Sequence, residues 1–160
     1  MLEITYIALG SNLNEPIQQI KTALKALKSL LHSQLINHSS LYVSRPMGPQ
    51  DQEDYINAVA KLETSLSPLE LLNQLQTIEN NQGRQRTAEQ WGPRTLDLDL
   101  LLYGQQIIKN DRLTVPHYGI KQRNFVVLPL AEIEPLLRLP DNSPISLLKQ
   151  QVGNQGIQKL

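Results

Sequence analysis

An α+β fold with a ferredoxin-like βαββαβ core is the fold class this chain predicts: an antiparallel sheet, helices packed on it, and mobile active-site loops. Three observations lead there. Segments rich in β-formers recur along the chain, two longer segments carry apolar residues at three- and four-residue steps, and the two kinds follow the order strand, helix, strand, strand, helix, strand.

The first strand spans Glu3 to Leu9 and ends at a Gly10-Ser11-Asn12 turn, suited to leading into a helix or facing a phosphate. Pro16 sits well in a first helical turn, and Ile17, Ile20, Leu24, Leu27, Leu30 and Leu31 form an amphipathic stripe with lysines opposite. Leu35 to Ser44 reads as a strand, and Tyr55 to Glu63 alternates as another. Between them, Arg45 to Asp54 is polar and rich in turn residues, which predicts a mobile loop. Ser67-Pro68 opens the second helix, with Glu70 three residues after the cap and Leu71, Leu72, Leu75 and Ile78 on its apolar stripe; it stops near Gly83. A strand follows through Asp97. Pro116 to Glu134 reads as mostly helical despite Pro129, and a Pro-rich tail comes after it.

At 160 residues the chain fits one domain, residues 1–160, long enough to bury a core unaided. Hydrophobic residues make up 40% and aromatics only 4%, so aliphatic side chains must build most of that core. Fifteen basic and fifteen acidic residues cancel, which argues against broad electrostatic capture of nucleic acid or of an anionic membrane. No cysteine is present, compatible with a reducing compartment. The N-terminus enters a strand at once, with no signal-like segment, and no apolar run reaches membrane-spanning length. A cytoplasmic, monomeric protein is the expectation, acting on small molecules without nucleic acid or membrane.

The chemistry concentrates between Gly83 and Asp99. In a strand, Asp97 and Asp99 share one face while Leu96, Leu98 and Leu100 take the other. Neighbouring carboxylates repel, and Mg²⁺, which favours one or two protein carboxylates completed by water and phosphate oxygens, relieves that repulsion. At about 3.3 Å rise per residue the two carboxylates stand roughly 7 Å apart, enough to bracket two ions roughly 4 Å apart. A half-exposed strand with a polar face is the plain alternative. Against it stands the arginine distribution: of Arg45, Arg84, Arg86, Arg94, Arg112, Arg123 and Arg138, five lie between positions 84 and 123. Guanidinium forks match phosphate geometry, and surface salt bridges do not call for a Gly-Arg start, a Gly-Pro stop and Trp91 in the loop between.

These residues resemble a known family. Gly-Arg-Gln-Arg at 83–86, Trp-Gly-Pro-Arg-Thr-Leu-Asp-Leu-Asp at 91–99 and Val-Pro-His at 115–117 are similar to the 6-hydroxymethyl-7,8-dihydropterin pyrophosphokinases of folate synthesis. Ala-Leu-Gly-Ser-Asn-Leu at 8–13, Gly-Pro-Gln-Asp-Gln at 48–52 and Tyr-Ile-Asn-Ala at 55–58 add to the likeness, which covers almost the whole chain; beyond Asp141 no motif is usable.

The resemblance implies transfer of the β- and γ-phosphates of ATP together to the hydroxymethyl oxygen of the reduced pterin, releasing AMP, with two Mg²⁺ ions on Asp97 and Asp99. By the same resemblance Arg84 and Arg94 close over the phosphates, Trp91 lies against the bound ligands, and Arg86 lies toward ATP. His117, Tyr118 and Arg123 contact the triphosphate, with Arg84, Arg94, His117, Asp97 and Asp99 as the catalytic set. Gln76, Glu79, Leu100, Arg112 and Thr114 lie around the nucleotide, although a solvated helix face explains Gln76 and Glu79 equally well. On its own, His117 reads as a hydrogen-bonded structural histidine.

A pterin is flat, with a row of donors and acceptors, so its site needs aromatic faces and fixed polar partners. Tyr55 and Asn57 share a strand face, and Phe125 is the chain's one phenylalanine, for which a core role is the alternative. The resemblance makes Tyr55 and Phe125 the rings about the pterin and Asn57 the reader of its edge, with Ser44, Met47 and Gly48 bordering the pocket. The chain departs from many relatives at Ser44, where they have threonine, and at Thr87 and Gln90, where a cation is common; Arg45 is a further difference. An ATP-Mg sensing module on the same fold, an RNA-binding domain and a nucleotidyltransferase are the rival classes. Neutral charge and scarce aromatics count against RNA, and a sensor has no need of Tyr55, Asn57 and Phe125.

Overall fold

A computed structural model describes residues 2–44, 54–83 and 95–160. The elements run β1 (Glu3–Ser11), α1 (Pro16–Lys28), β2 (Ser33–His38), β3 (Tyr42–Ser44), β4 (Tyr55–Thr64), α2 (Pro68–Asn81), β5 (Asp97–Tyr103), β6 (Ile108–Lys109), β7 (Thr114–Val115), α3 (Asn124–Ile133), α4 (Ile145–Val152) and β8 (Ile157–Lys159). The main sheet has the order β5-β1-β4-β3-β8, with β2 also paired to β4, and its ladders are antiparallel. With β2 and β3 counted as one interrupted strand, β1 through β5 have the ferredoxin-like arrangement.

Helices cover both faces. On one, Ile20, Ala23, Leu24 and Leu27 of α1 and Leu71, Leu75 and Ile78 of α2 pack against Ile7, Leu9, Ala58, Leu62, Leu96, Leu98 and Leu100. On the other, Val126, Val127 and Leu130 of α3 and Ile145 and Leu148 of α4 pack against Tyr6, Ala8, Val59, Leu101 and Leu102. Helix α2 opens on the expected capping box, in which Ser67 Oγ accepts from Glu70 N–H and the Glu70 carboxylate accepts from Ser67 N–H. Helix α1 has no side-chain cap; Pro16 starts it and Lys25 and Lys28 complement the dipole of its last turn.

Several expectations are corrected. Strand β1 extends through Gly10 and Ser11 instead of turning there. Helix α1 ends at Lys28, so Leu31 lies outside it and 77% exposed, while Ile17 faces solvent at 43%. The strand expected over 35–44 is two: β2 slips register between Leu35 and Asn37, and residues 39–41 separate it from β3. The helix expected from Pro116 begins only at Asn124, because residues 116–123 turn back over β5. Pro129 is accommodated inside α3. The tail, unread in the sequence, forms α4 and β8, and β8 pairs with β3. Among the described residues, no helix is long and apolar enough to cross a membrane.

Candidate active site

Strand β1 lies between β4 and β5, and its register fixes the site. Gly10 stands opposite Asn57 on one side and Asp97 on the other; Ala8 stands opposite Val59 and Asp99. Side chains opposite one another across a ladder share a face, so Asn57, Gly10, Asp97 and Asp99 line the α3 side at one end of the sheet. The expected separation of faces along β5 holds, since Leu96, Leu98 and Leu100 are buried in the α1/α2 core. Ser11 Oγ donates to Thr95 O at 2.6 Å in a buried contact that ties the end of β1 to the approach into β5.

A bulge brings His117 to the aspartates. The β1–β5 register jumps from Ile7↔Leu100 to Tyr6↔Leu102, leaving Leu101 as the extra residue. The Leu101 carbonyl accepts the His117 N–H at 3.0 Å. His117 Nε2 then lies 3.8 Å from Asp99 Oδ2, with the imidazole largely covered and the carboxylate about half exposed. His117 Nδ1 accepts from Gly119 N–H at 3.0 Å, which leaves Nε2 to carry the proton of the neutral ring toward Asp99. Burial lowers the His117 pKa below 6.5, against the raising effect of Asp99 and with a further lowering by Arg123.

Around it, the His117 and Tyr118 rings stack at 4.5 Å. Arg123 Nη2 donates to the Tyr118 hydroxyl at 3.1 Å, and its guanidinium lies 5.1 Å from the Tyr118 ring centre and 5.7 Å from that of Phe125. Tyr118 is 74% exposed, so the cluster opens to solvent. Phe125 is half-buried against the α3-side core, as the core alternative expects. Asn57 is buried and donates through Nδ2 to Ser44 Oγ at 3.1 Å. Tyr55, opposite Ser44 in the β3–β4 ladder, is half-buried. Helix α3 is fixed against β3 by Glu132, whose carboxylate accepts from the Tyr42 hydroxyl at 2.6 Å and from Ser40 N–H at 3.0 Å.

Of the expected nucleotide residues, Arg112 and Gln76 are brought together. Arg112 Nη2 donates to Asn73 Oδ1 at 2.5 Å and to Gln76 Oε1 at 3.5 Å, joining the segment before β7 to α2. Thr114 is exposed in β7. The Leu100 side chain is buried in the α1/α2 core, opposite in face to the aspartates. Glu79 does not belong to a solvated helix face: it is 2% exposed, and its Oε2 accepts Leu98 N–H at 2.7 Å. Asn73, bonded to Arg112, had no signal in the sequence, and Gly10, read there as part of a motif and of a turn suited to a helix or a phosphate, lies between Asn57 and Asp97.

Arg84, Arg86, Trp91, Arg94, Met47 and Gly48, with Arg45, Thr87 and Gln90, lie outside the described residues, as do most of the two segments expected to be mobile. Among the described residues, no group of three or more His, Cys, Asp or Glu side chains is placed to hold a metal. Asp97 and Asp99 form a two-carboxylate set, of the kind that suits Mg²⁺ completed by water and phosphate.

Comparison with known proteins bears on this arrangement. Residues 6–135 match the family model described as 7,8-dihydro-6-hydroxymethylpterin-pyrophosphokinase. A Haemophilus influenzae protein named 2-amino-4-hydroxy-6-hydroxymethyldihydropteridine pyrophosphokinase is 56% identical over 155 residues, covering 97% of this chain and 96% of that protein. A Pseudomonas aeruginosa protein of the same name is 49% identical over 160 residues, covering 100% and 98%. Among solved structures, Plasmodium falciparum HPPK-DHPS with pterin and p-hydroxybenzoate superposes with a TM-score of 0.76 at 15% identity, covering 99% of this chain. That likeness speaks for the fold, and this chain spans 45% of the solved chain's length. Agreement with the family model over most of the sequence, and with these relatives over nearly all of it, establishes that the chain belongs to the 7,8-dihydro-6-hydroxymethylpterin-pyrophosphokinase family.

Proposed function

We propose that this protein transfers the pyrophosphoryl group of ATP to the hydroxymethyl oxygen of 6-hydroxymethyl-7,8-dihydropterin, giving AMP and the pterin diphosphate, a step of folate biosynthesis. The observation that carries the reading is the row Asn57–Gly10–Asp97 across three adjacent strands. It sets a candidate reader of the pterin edge beside a candidate metal carboxylate, on one face and about 10 Å apart at about 4.8 Å between strands. Full-length relatives bearing the pyrophosphokinase name support it.

In this reaction the alcohol oxygen attacks the β-phosphorus, the bond from that phosphorus to the oxygen bridging to the α-phosphorus breaks, AMP leaves with the electron pair, and the hydroxyl proton goes to solvent. Asp97 and Asp99 would hold Mg²⁺, two ions in our reading, which when bound offsets triphosphate charge and lowers the pKa of the attacking hydroxyl. Asn57 reads the pterin edge, Tyr55 and Phe125 offer ring faces, and Ser44 fixes the Asn57 amide. Met47 and Gly48, outside the described residues, are assigned to the same pocket by the family resemblance. Neutral His117 presents Nε2–H, and Arg123, held by Tyr118, presents its charge to phosphate oxygens. Gln76, Arg112 and Thr114 receive the nucleoside around the edge of β5, near Leu100 and Glu79. Arg84 and Arg94 clamp the phosphates from the 83–94 segment, with Arg86 nearby and Trp91 excluding water. Action as a cytoplasmic monomer and as one unit over residues 1–160 belongs to the same reading; pairing of β8 with β3 supports the second part.

The test is chromatography of ATP, Mg²⁺ and the pterin with the protein. Pterin-dependent AMP, matched by pterin diphosphate, is the expected result. ATP binding without turnover would overturn the reading in favour of a sensor.

A further inference from the structure

Gly10 is a glycine without a backbone reason to be one. It lies within β1, and its φ is outside the left-handed region that the glycines at 83, 104, 153 and 156 occupy. In ordinary extended backbone alanine is accepted, and strands generally disfavour glycine. What Gly10 lacks is room: a Cβ built there would meet Asn57 Oδ1 at 3.0 Å. The Asn57 amide has little freedom to retreat, being buried and bonded through Nδ2 to Ser44 Oγ at 3.1 Å. On the other side of Gly10 stands Asp97.

We propose that Gly10 is a positioning residue for the pterin: the missing side chain lets the Asn57 carbonyl oxygen lie over β1 while Nδ2 keeps its bond to Ser44 Oγ, which sets the orientation in which the amide meets the ligand. The proposal rests on the pyrophosphokinase reading and adds to it a determinant of substrate recognition. A methyl group at this position requires Oδ1 to give by a few tenths of an ångström, which shifts the amide against its bond to Ser44. A misaligned polar reader of a substrate edge costs on the order of 10- to 100-fold in recognition. The effect falls on the pterin, because the described atom that the added Cβ meets within 4 Å belongs to Asn57 and not to Asp97 on the other side.

The experiment compares wild type, Gly10→Ala, Asn57→Ala and the double variant in steady-state assays of pterin-dependent AMP formation, with Tm measured alongside. Gly10→Ala is expected to raise KM for the pterin roughly 10-fold or more, to leave KM for ATP within about 2-fold, and to move Tm by no more than about 4 °C, since the entropy gained by alanine offsets part of the strain on the Asn57 bond. Added to Asn57→Ala, it is expected to have little further effect, as coupling through one side chain requires. An unchanged pterin KM, a parallel rise in both KM values with a lower Tm, or additive single effects would overturn the proposal. A readout independent of turnover separates its failure from failure of the functional reading. In ligand-free protein, the Asn57 side-chain amide resonances should shift in Gly10→Ala well beyond those of other asparagines, and unmoved resonances would overturn the proposal even in an active enzyme. Wild type without pterin-dependent AMP would instead remove the functional reading.

Discussion

The carboxylate of Glu79, at the end of α2, accepts the backbone N–H of Leu98 at 2.7 Å, between the two aspartates of β5. Strand β5 is the edge of the main sheet, so this N–H points away from β1, and a buried carboxylate takes the place of a further strand. The backbone between the candidate metal carboxylates is thereby pinned from outside the sheet. Glu79→Gln keeps an acceptor and is expected to retain most stability. Glu79→Leu leaves the Leu98 N–H unpaired and should cost about 1–3 kcal/mol. Urea unfolding measures the cost, and Mg²⁺ titration of activity should show a raised half-saturation for Glu79→Leu. Wild-type values for both would remove the pinning role.

Asp97→Ala and Asp99→Ala should lower turnover by at least about 10³-fold, the scale of losing a principal electrostatic contributor to a transition state. Neither aspartate is deeply buried, so far-ultraviolet circular dichroism and Tm should change little. Activity retained with unaltered Mg²⁺ dependence would refute the metal assignment.

His117 makes a prediction with a sign. Burial holds its pKa in the folded protein below the usual 6.5, so near pH 6 the unfolded chain binds more protons than the folded one. Its contribution to stability is therefore complete above about pH 6.5 and is lost as the pH falls through the folded pKa. NMR titration of the metal-free protein should place the His117 midpoint below 6.5. Asp99→Asn removes a raising influence and should lower the midpoint further, whereas Arg123→Ala should raise it. Movement in the reverse directions would contradict the geometry described for this cluster.

Trp91 is the one tryptophan of the chain and so reports on the 83–94 segment without labelling. Its fluorescence should change when nucleotide and pterin analogue are bound together, and by less with either alone. An unchanged signal in the ternary complex would count against a closing lid.

The elements read correctly from sequence were those whose burial is one-sided. The Leu71, Leu75, Ile78 stripe with its Ser67–Glu70 cap, and the alternation through Asp97 and Asp99, each state a face and a period. Residues 116–123 misled because they lead directly into the apolar run of α3, yet they form a turn: His117 is held by the Leu101 carbonyl, a bond created by a bulge that no periodicity announces. Strand β8 was illegible because Ile157 is its one apolar residue, and pairing to β3 is made by backbone. Within the site, charge and motif pointed to Asp97, Asp99 and His117. The buried Glu79–Leu98 bond and the closeness of Gly10 to Asn57 depend on tertiary placement, which sequence spacing does not carry.

The central claim is that two phosphates move together to the pterin. Phosphorus-31 NMR of a reaction containing ATP, Mg²⁺ and 6-hydroxymethyl-7,8-dihydropterin tests it most directly. The account predicts a new pair of coupled doublets from a pterin-bound diphosphate, growing in step with the AMP singlet. A pterin monophosphate singlet accompanied by ADP, or free pyrophosphate with a pterin-bound adenylate, would contradict it.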